Sequence, residues 1–227
     1  MTDPRIIVAI DTYDLEEANA ILDQLNPDLC KIKIGSVVYN SIGKSFLREV
    51  SSRGFKIFLD LKLHDIPNTV HEAILGFHDC VIDMLTVHLS GGEEMLKKAM
   101  LAGKSIDTKV IGVSILTSLE ESDTMALFNN KLDHQIRNLF EIAVKANLDG
   151  VVCSPHELEM SNTILNSDSI KITPGIRDIK ARDDQARTMS AKEAIEKGAT
   201  YLVIGRPITQ AQDISTALKI FSDSIEK

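Results

Sequence analysis

The sequence is poor in cysteine and has no excess of basic residues. Its 227 residues include three cysteines, Cys30, Cys80 and Cys153, without a C-x-x-C spacing. We therefore expect the three cysteines to be small, reduced residues of the core, which fits a reducing cytoplasm. The formal net charge is −8 and no run of Lys or Arg occurs, so nucleic acid is not expected as a main partner. A single basic pocket for a phosphate stays open.

Long apolar runs and the common ligand motifs are also absent. No apolar run approaches the roughly 18 residues of a membrane-spanning helix, and the chain starts without a basic and then apolar leader. We expect a cytoplasmic protein with no membrane partner. The motifs G-x-G-x-x-G, G-x-x-x-x-G-K-[ST] and H-x-x-x-H do not occur. Because no carboxylate cluster lacks a neighbouring lysine, a metal site is not expected either.

The sequence does contain a regular alternation of apolar runs and helix-period segments. The runs have the near-continuous hydrophobicity of buried parallel strands and cover residues 5–11, 30–35, 55–61, 81–87, 109–115, 149–154, 170–175 and 201–206. A helix-period segment follows each run. Capping patterns predict helix starts at Asp14, Ser90, Ser154 and Ser190. Eight strand–helix units without a linker predict an α/β fold, a single (β/α)8 TIM barrel over residues 1–227.

An open, doubly wound sheet would show a similar local pattern. Two observations favour the barrel, namely the count of eight and the polar residues at the carboxyl ends of most strands. Two connections, residues 116–132 and 175–190, are longer than a barrel needs. Loops of this length are often functional, and a solvated surface excursion is an equally good interpretation of either one.

The densest group of charges follows the third strand. Asp60 and Lys62 are two residues apart, so a regular strand would direct both side chains to one face, and Lys33 would point inward from the neighbouring strand. A structural ion network is the alternative, but a cluster at the catalytic end of a barrel favours function. Asp65 lies too far along an extended chain to join Asp60. Either the loop doubles back, or Asp65 and Thr69 serve a second subunit.

A phosphate site is predicted after the last strands. Gly205 and Arg206 follow the eighth strand, where barrels commonly bind phosphate and where a guanidinium can bind it in a bidentate way. Arg177 and Gln185, in the long seventh connection, could close over it. His88 directly follows the fourth apolar run, and we interpret it as a core histidine rather than a rim residue.

These segments together resemble the orotidine-5′-phosphate decarboxylase family. The resemblance covers the whole chain and rests on the motifs VAID, KIKIG, DLKLHDIPNT, VHLSGG, ILTS, DGVVCS, TPGIR, DDQ and VIGRPIT. It implies a carboxy-lyase that converts orotidine 5′-monophosphate to UMP, the last step of de novo pyrimidine synthesis. It also implies a homodimeric barrel with shared sites, a nucleotide monophosphate as substrate, and no metal or organic cofactor.

The resemblance further implies catalytic roles for four charged residues. Lys62 would donate a proton to C6 of the pyrimidine, and Asp60 would lie beside the substrate carboxylate. Lys33 would link Asp60 to the ribose hydroxyls. Asp65 of the partner subunit would complete the alternating array of lysines and aspartates.

The remaining implied residues bind the substrate. Ile66 and Thr69 of the partner subunit would reach the pocket and the ribose, Asp11 would bind a ribose hydroxyl, and Thr117 would contact the pyrimidine edge. Gln185 would bridge base and phosphate. The phosphate would be held by Arg177, Gly205 and Arg206.

Two other functions are considered. Phosphosugar enzymes such as 3-keto-L-gulonate-6-phosphate decarboxylase and hexulose-phosphate synthase share D-x-K-x-x-D but need Mg²⁺, held partly by a carboxylate where this chain has Lys33. A cation at that position would repel the metal. A non-catalytic barrel that senses a phosphorylated metabolite is the second alternative, and it would not need Lys62.

Overall fold

Eight parallel strands close into a barrel in sequence order in the computed structural model, which describes residues 3–176 and 189–226. The strands are β1 Ile6–Ile10, β2 Cys30–Gly35, β3 Ile57–Leu63, β4 Met84–His88, β5 Lys109–Val113, β6 Gly150–Val152, β7 Ile170–Thr173 and β8 Tyr201–Ile204. Closure is made by β1 and β8, where Ile6 pairs with Leu202. The predicted (β/α)8 barrel is therefore confirmed, and the open sheet is excluded.

Helices surround the barrel and connect its strands. They are α1 Leu15–Leu22, α2 Ser36–Ile42, α3 Lys44–Ser52, α4 Pro67–Leu75, α5 Gly92–Ser105, α6 Glu121–Phe128, α7 Leu132–Lys145, α8 Leu158–Ile164, α9 Ala191–Glu196, α10 Arg206–Thr209 and α11 Ile214–Glu226. Short 3-10 turns cover Leu89–Gly91 and Pro155–Glu157. The predicted caps at Asp14 and Ser190 are confirmed, because both side chains accept hydrogen bonds from first-turn amides.

Several local predictions need correction. The single helix expected after β2 is two helices, since Gly43 adopts a φ of 88° between them. Ser90 does not cap α5, because it lies within the 3-10 turn that precedes this helix. The long connection at 116–132 contains the helix α6, in which Thr124 is the buried residue, so it has secondary structure that was not predicted. The fourth strand begins at Met84 rather than at residue 81, where Val81 is exposed.

The core has two parts, one between the sheet and the helices and one inside the barrel. The inner part is an apolar layer of side chains from six of the eight strands, Ile7, Phe58, Met84, Ile111, Ile172 and Tyr201. All three cysteines are buried as free thiols, as predicted. Burial raises the pKa of Cys30 and of Cys153 to about 12, which keeps both in the thiol form.

An ion cluster fills the amino-terminal end of the barrel, below this apolar layer. Lys31 is 1% exposed, and its Nζ lies 3.0 Å from Asp3 Oδ1 and 2.6 Å from Asp83 Oδ2. The ammonium also lies over the Tyr201 ring, 4.5 Å from its centroid, and the Tyr201 hydroxyl donates to Asp3. Charged groups can be buried inside a protein only if they are well paired, and here each charged group has a partner.

Candidate active site

Two lysines flank one carboxylate at the carboxyl-terminal end of the barrel. Lys62 Nζ lies 2.9 Å from both Oδ1 and Oδ2 of Asp60, while Lys33 Nζ lies 3.7 Å from Asp60 Oδ2. Asp60 and Lys33 are each 12% exposed, and Lys62 is 35% exposed. The predicted grouping of these three residues is confirmed. It forms an array with one ammonium open to an incoming ligand.

The local backbone that brings Lys62 to Asp60 is not a regular strand. The pairing of β3 with β4 shifts register, so that Leu59 faces Leu85 but Leu63 faces Val87. Lys62 has a φ of 51°, in the left-handed region that non-glycine residues adopt rarely. The sequence prediction of proximity is right, but its geometric basis, two side chains on one face of a regular strand, is wrong. An irregular strand end next to an active site is a recurrent way of redirecting a side chain.

Thr86 on β4 joins the two functional groups. It is fully buried, its Oγ1 donates to Asp60 Oδ1 at 3.0 Å, and it accepts from the Lys62 backbone N–H at 2.8 Å. Sequence reasoning did not single out this residue. The signal available was a lone hydroxyl in the strand MLTVH, at a register position that faces the barrel interior.

Asp11 extends the array towards solvent. Its Oδ1 lies 3.4 Å from Lys33 Nζ, and its side chain is 59% exposed. The carboxylate therefore has lone pairs left to accept a hydrogen bond from a ligand hydroxyl. Gly35, two residues after Lys33, has a structural role here. A Cβ atom at Gly35 would lie 3.1 Å from Lys33 Nζ and 3.6 Å from Asp11 Oδ1, so a side chain would crowd the ion pair.

Two histidines lie beside the array. The His64 and His88 rings are 5.4 Å apart between centroids and are inclined by 48°. Burial, followed by the charges of His64 and Lys62, lowers the pKa of His88, whereas Asp60 opposes that shift. His88 is half-buried at the end of β4, so its interpretation as a core histidine is only partly right. The proximity of His64 was not predicted.

The predicted residues Asp65, Ile66 and Thr69 lie apart from this array. All three are exposed, and Ile66 is 66% exposed despite its apolar side chain. Asp65 Oδ1 accepts a hydrogen bond from Ile66 N at 2.7 Å. Within the described part of the chain, Asp65 forms no ion pair with Lys33 or Lys62. An ion pair between Asp65 and the array is therefore not formed within one subunit.

The predicted ligand-binding residues are only partly located. Thr117 is exposed in the turn after β5, and Gly205 precedes α10, of which Arg206 is the exposed first residue. Arg177 and Gln185 lie outside the described residues. Across residues 3–176 and 189–226, three or more His, Cys, Asp or Glu side chains do not come together as a candidate metal site. In the same ranges no helix is long and apolar enough to cross a membrane.

The fold and the array together define a class of protein, a barrel enzyme with its site at the carboxyl ends of the strands. Residues 4–221 match the family model described as "Orotidine 5'-phosphate decarboxylase / HUMPS family". The chain belongs to this family.

Relatives of known name agree with this assignment. An orotidine 5'-phosphate decarboxylase of Actinobacillus succinogenes is 40% identical over 98% of this chain and 98% of its own. One of Coxiella burnetii is 40% identical over 99% of this chain and 98% of its own. The solved orotidine 5'-phosphate decarboxylase of Lactobacillus acidophilus has a TM-score of 0.87 at 31% identity, covering 99% of this chain and 100% of its own. The predicted family and the prediction of a carboxy-lyase enzyme are therefore confirmed.

Proposed function

We propose that this chain decarboxylates orotidine 5′-monophosphate to UMP, without metal or organic cofactor, as the last step of de novo pyrimidine synthesis in the cytoplasm. The observation that carries the proposal is the Lys33–Asp60–Lys62 array at the barrel rim, in a chain whose relatives are named orotidine 5'-phosphate decarboxylases. The substrate is a nucleotide monophosphate bound by one protein domain over residues 1–227.

The chemistry needs a cation at the reacting carbon. Loss of CO₂ leaves an electron pair at C6 of the pyrimidine, and no carbonyl is placed to delocalise it. The Lys62 ammonium would stabilise this developing charge electrostatically and then donate its proton to C6. Its position supports that role, because Lys62 is the more exposed of the two lysines and is held in place by Asp60.

Asp60 would act on the substrate carboxylate. Two carboxylates about 4 Å apart repel each other by about 4 kcal/mol at an effective dielectric constant near 20. This repulsion disappears as neutral CO₂ departs, so it would lower the barrier between bound substrate and transition state. Asp60 stays rigid because Lys33, Lys62 and Thr86 all contact its carboxylate.

The ribose and phosphate would be held at the same rim. Asp11 and Lys33 form an ion pair in which the carboxylate can still accept hydrogen bonds from ribose hydroxyls. Thr117 would contact the pyrimidine edge. We assign the phosphate to Arg177, Gly205 and Arg206, with Gln185 between phosphate and base. Binding energy from the remote phosphate would orient the ring over Lys62.

The active site would be completed by a second copy of the chain. The Asp65 carboxylate accepts a hydrogen bond from the backbone N–H of Ile66, and Ile66 exposes an apolar side chain. In a two-fold dimer each subunit would present Asp65, Ile66 and Thr69 to the site of the other. The array would then alternate between lysine and aspartate across the interface.

Lys33 argues against the phosphosugar enzymes that share the family name. Its ammonium lies between Asp11 and Asp60, at 3.4 and 3.7 Å, so these carboxylates already pair with a protein cation. A divalent ion bound there would meet this fixed positive charge.

Turnover can be tested directly by following loss of the orotate chromophore with orotidine 5′-monophosphate in EDTA-treated buffer. We expect turnover by the wild-type chain and none by Lys62→Ala, since the proton donor is removed. Absence of turnover by the folded wild-type chain, or turnover that needs added Mg²⁺, would refute the proposal. Activity retained by Lys62→Ala would refute the role of Lys62 and favour a different proton donor.

A further inference from the structure

We propose that Thr86 is a positioning residue for the decarboxylation, one that fixes both the Asp60 carboxylate and the Lys62 backbone through a single hydroxyl. The inference rests on the proposed function for its chemistry, but its geometric content does not depend on the substrate. Thr86 would not contact the reacting atoms. It would act through Asp60 and Lys62.

The Thr86 hydroxyl lies in a place where an unpaired polar group would be costly. Thr86 is 0% exposed, and it lies one layer above Met84 of the apolar barrel interior. Both functions of the hydroxyl are used. Its proton goes to Asp60 Oδ1 at 3.0 Å, and its oxygen accepts the Lys62 amide at 2.8 Å. The direction is fixed by chemistry, because a carboxylate accepts and an amide N–H donates.

The second of these bonds replaces a missing bond of the sheet. Leu59 pairs with Leu85 and Leu63 with Val87, so the three residues between Leu59 and Leu63 lie opposite Thr86 alone. In a regular ladder the Lys62 amide would bond to a backbone carbonyl of β4. Here the Thr86 hydroxyl oxygen accepts the Lys62 amide in place of a backbone carbonyl, and Lys62 is the residue with a φ of 51°. An unfavourable backbone conformation persists only where its surroundings enforce it.

The consequence for the proposed reaction follows from these two bonds. Thr86 prevents rotation of the Asp60 carboxylate, and it holds the backbone from which Lys62 reaches both carboxylate oxygens at 2.9 Å. Without the hydroxyl, the Lys62 backbone can relax and the ammonium can leave its place over C6. Thr86 bonds to neither Asp11 nor Lys33, the proposed ribose contacts, nor to Arg206, a proposed phosphate contact, so the loss is expected in kcat rather than in KM.

The test compares Thr86→Val, which keeps the shape without the hydroxyl, with Thr86→Ser, which keeps the hydroxyl. We expect Thr86→Val to lower kcat by roughly 100-fold with KM changed by less than about threefold, and Thr86→Ser to retain kcat within about fivefold. Thr108→Val is the matched control. Thr108 is also buried and donates to a backbone oxygen, that of Ile82 at 3.0 Å, but it lies outside the array.

Several results would overturn the proposal. These are equal kcat values for folded Thr86→Val and Thr86→Ser, or a loss of kcat in Thr108→Val as large as in Thr86→Val. If Thr86→Val does not fold, Thr86→Ala replaces it under the same criterion. Crystal structures of the variants give a readout that is independent of the substrate. In Thr86→Val we expect the Lys62 backbone to leave the left-handed region, and in Thr86→Ser we expect it to stay there. An unchanged Lys62 backbone in both variants would refute the inference. Failure of the wild-type chain to act on orotidine 5′-monophosphate would instead refute the proposed function alone.

Discussion

Lys31 and Lys33 lie two residues apart on β2 and face the same barrel interior, yet they pair with carboxylates at opposite ends of it. Lys31 contacts Asp3 and Asp83 at the amino-terminal end, and Lys33 contacts Asp11 and Asp60 at the carboxyl-terminal end. One end of a (β/α)8 barrel serves stability and the other serves catalysis. One strand therefore contributes a lysine to the amino-terminal ion cluster and a lysine to the proposed active site.

Replacing Lys31 by methionine should destabilise the protein without removing the active site. The change leaves two carboxylates facing each other without the buried ammonium, and breaking such a pair costs about 3 kcal/mol, the low value reflecting the partial exposure of Asp3. Urea unfolding measures the loss, and kcat at a temperature where the variant is folded should stay near the wild-type value. Unchanged stability would contradict the role of this cluster.

Replacing Lys33 by methionine should have the opposite effect. Asp60 keeps its contacts with Lys62 and Thr86, so we expect the free energy of unfolding to change less than in Lys31→Met. Turnover should fall by about 100-fold or more, because the array and the proposed ribose contact both lose a cation. Steady-state kinetics on the two variants side by side provides the control. Near-wild-type turnover in Lys33→Met would argue against its placement in the site.

The Asp3 carboxylate should make stability depend on acidic pH. Burial opposes ionisation, but hydrogen bonds from Lys56, Tyr201 and Lys31 lower the pKa of Asp3 to about 2. Because this pKa is depressed in the folded state, the stabilisation is complete above about pH 4 and is lost as pH falls through about 2. Asp3→Asn should therefore show a flatter decline of unfolding free energy over this interval. Parallel declines for wild type and variant would contradict the expectation.

His88 should contribute a second pH dependence nearer neutrality. Its pKa is lowered by burial and by His64 and Lys62, so the folded chain binds a proton less readily than the unfolded chain. Stability is then lost as pH falls below about 6.5 towards the folded-state pKa. Unfolding free energies at about pH 7.5 and about pH 5.5 should differ less in His88→Gln than in wild type. His134→Gln, at an exposed position on α7, is the control and should behave as wild type.

Shared active sites can be tested by mixing two inactive variants, Lys62→Ala and Asp65→Ala. In a heterodimer, the subunit with intact Lys62 would receive Asp65 from its partner, so one of two sites would be complete. Random assortment should restore about a quarter of the wild-type sites. The measurement is turnover after refolding the mixture, with each variant refolded alone as the control. Confirmed heterodimers without activity would contradict a site shared between subunits.

The fold was predictable because each of its signals is local. Near-continuous apolar runs identified eight strands, and caps such as Asp14 and Ser190 marked helix starts. Features that depend on tertiary geometry were not predictable in this way. The helix α6 falls where the hydrophobic period is weak. The break at Gly43 interrupts a period that continues through Phe46 and Val50, so the period does not reveal it. Ser90 satisfied a capping pattern that a 3-10 turn prevents.

The site was predictable in composition but not in geometry. Asp60, Lys62 and Lys33 stood out because charges are unusual in buried strands. The left-handed backbone of Lys62 has no sequence signature comparable to a glycine, since neighbouring groups impose it. Thr86 was missed for the same reason. A threonine in a strand is ordinary, and only the register of β3 against β4 shows what its hydroxyl contacts.

The alternation Lys31-Ile32-Lys33 also determines what the protein would lose if β2 were misaligned in the barrel. A slip of β2 by one residue would turn both ammonium groups out of the barrel and turn Ile32 inward. The amino-terminal ion cluster and the proposed catalytic array would then be lost in the same event. A chain that forms the ion pairs of Lys31 at the amino-terminal end therefore also has the β2 alignment that the proposed active site needs at the carboxyl-terminal end. Folded but misaligned and inactive barrels should be scarce in any preparation of this protein.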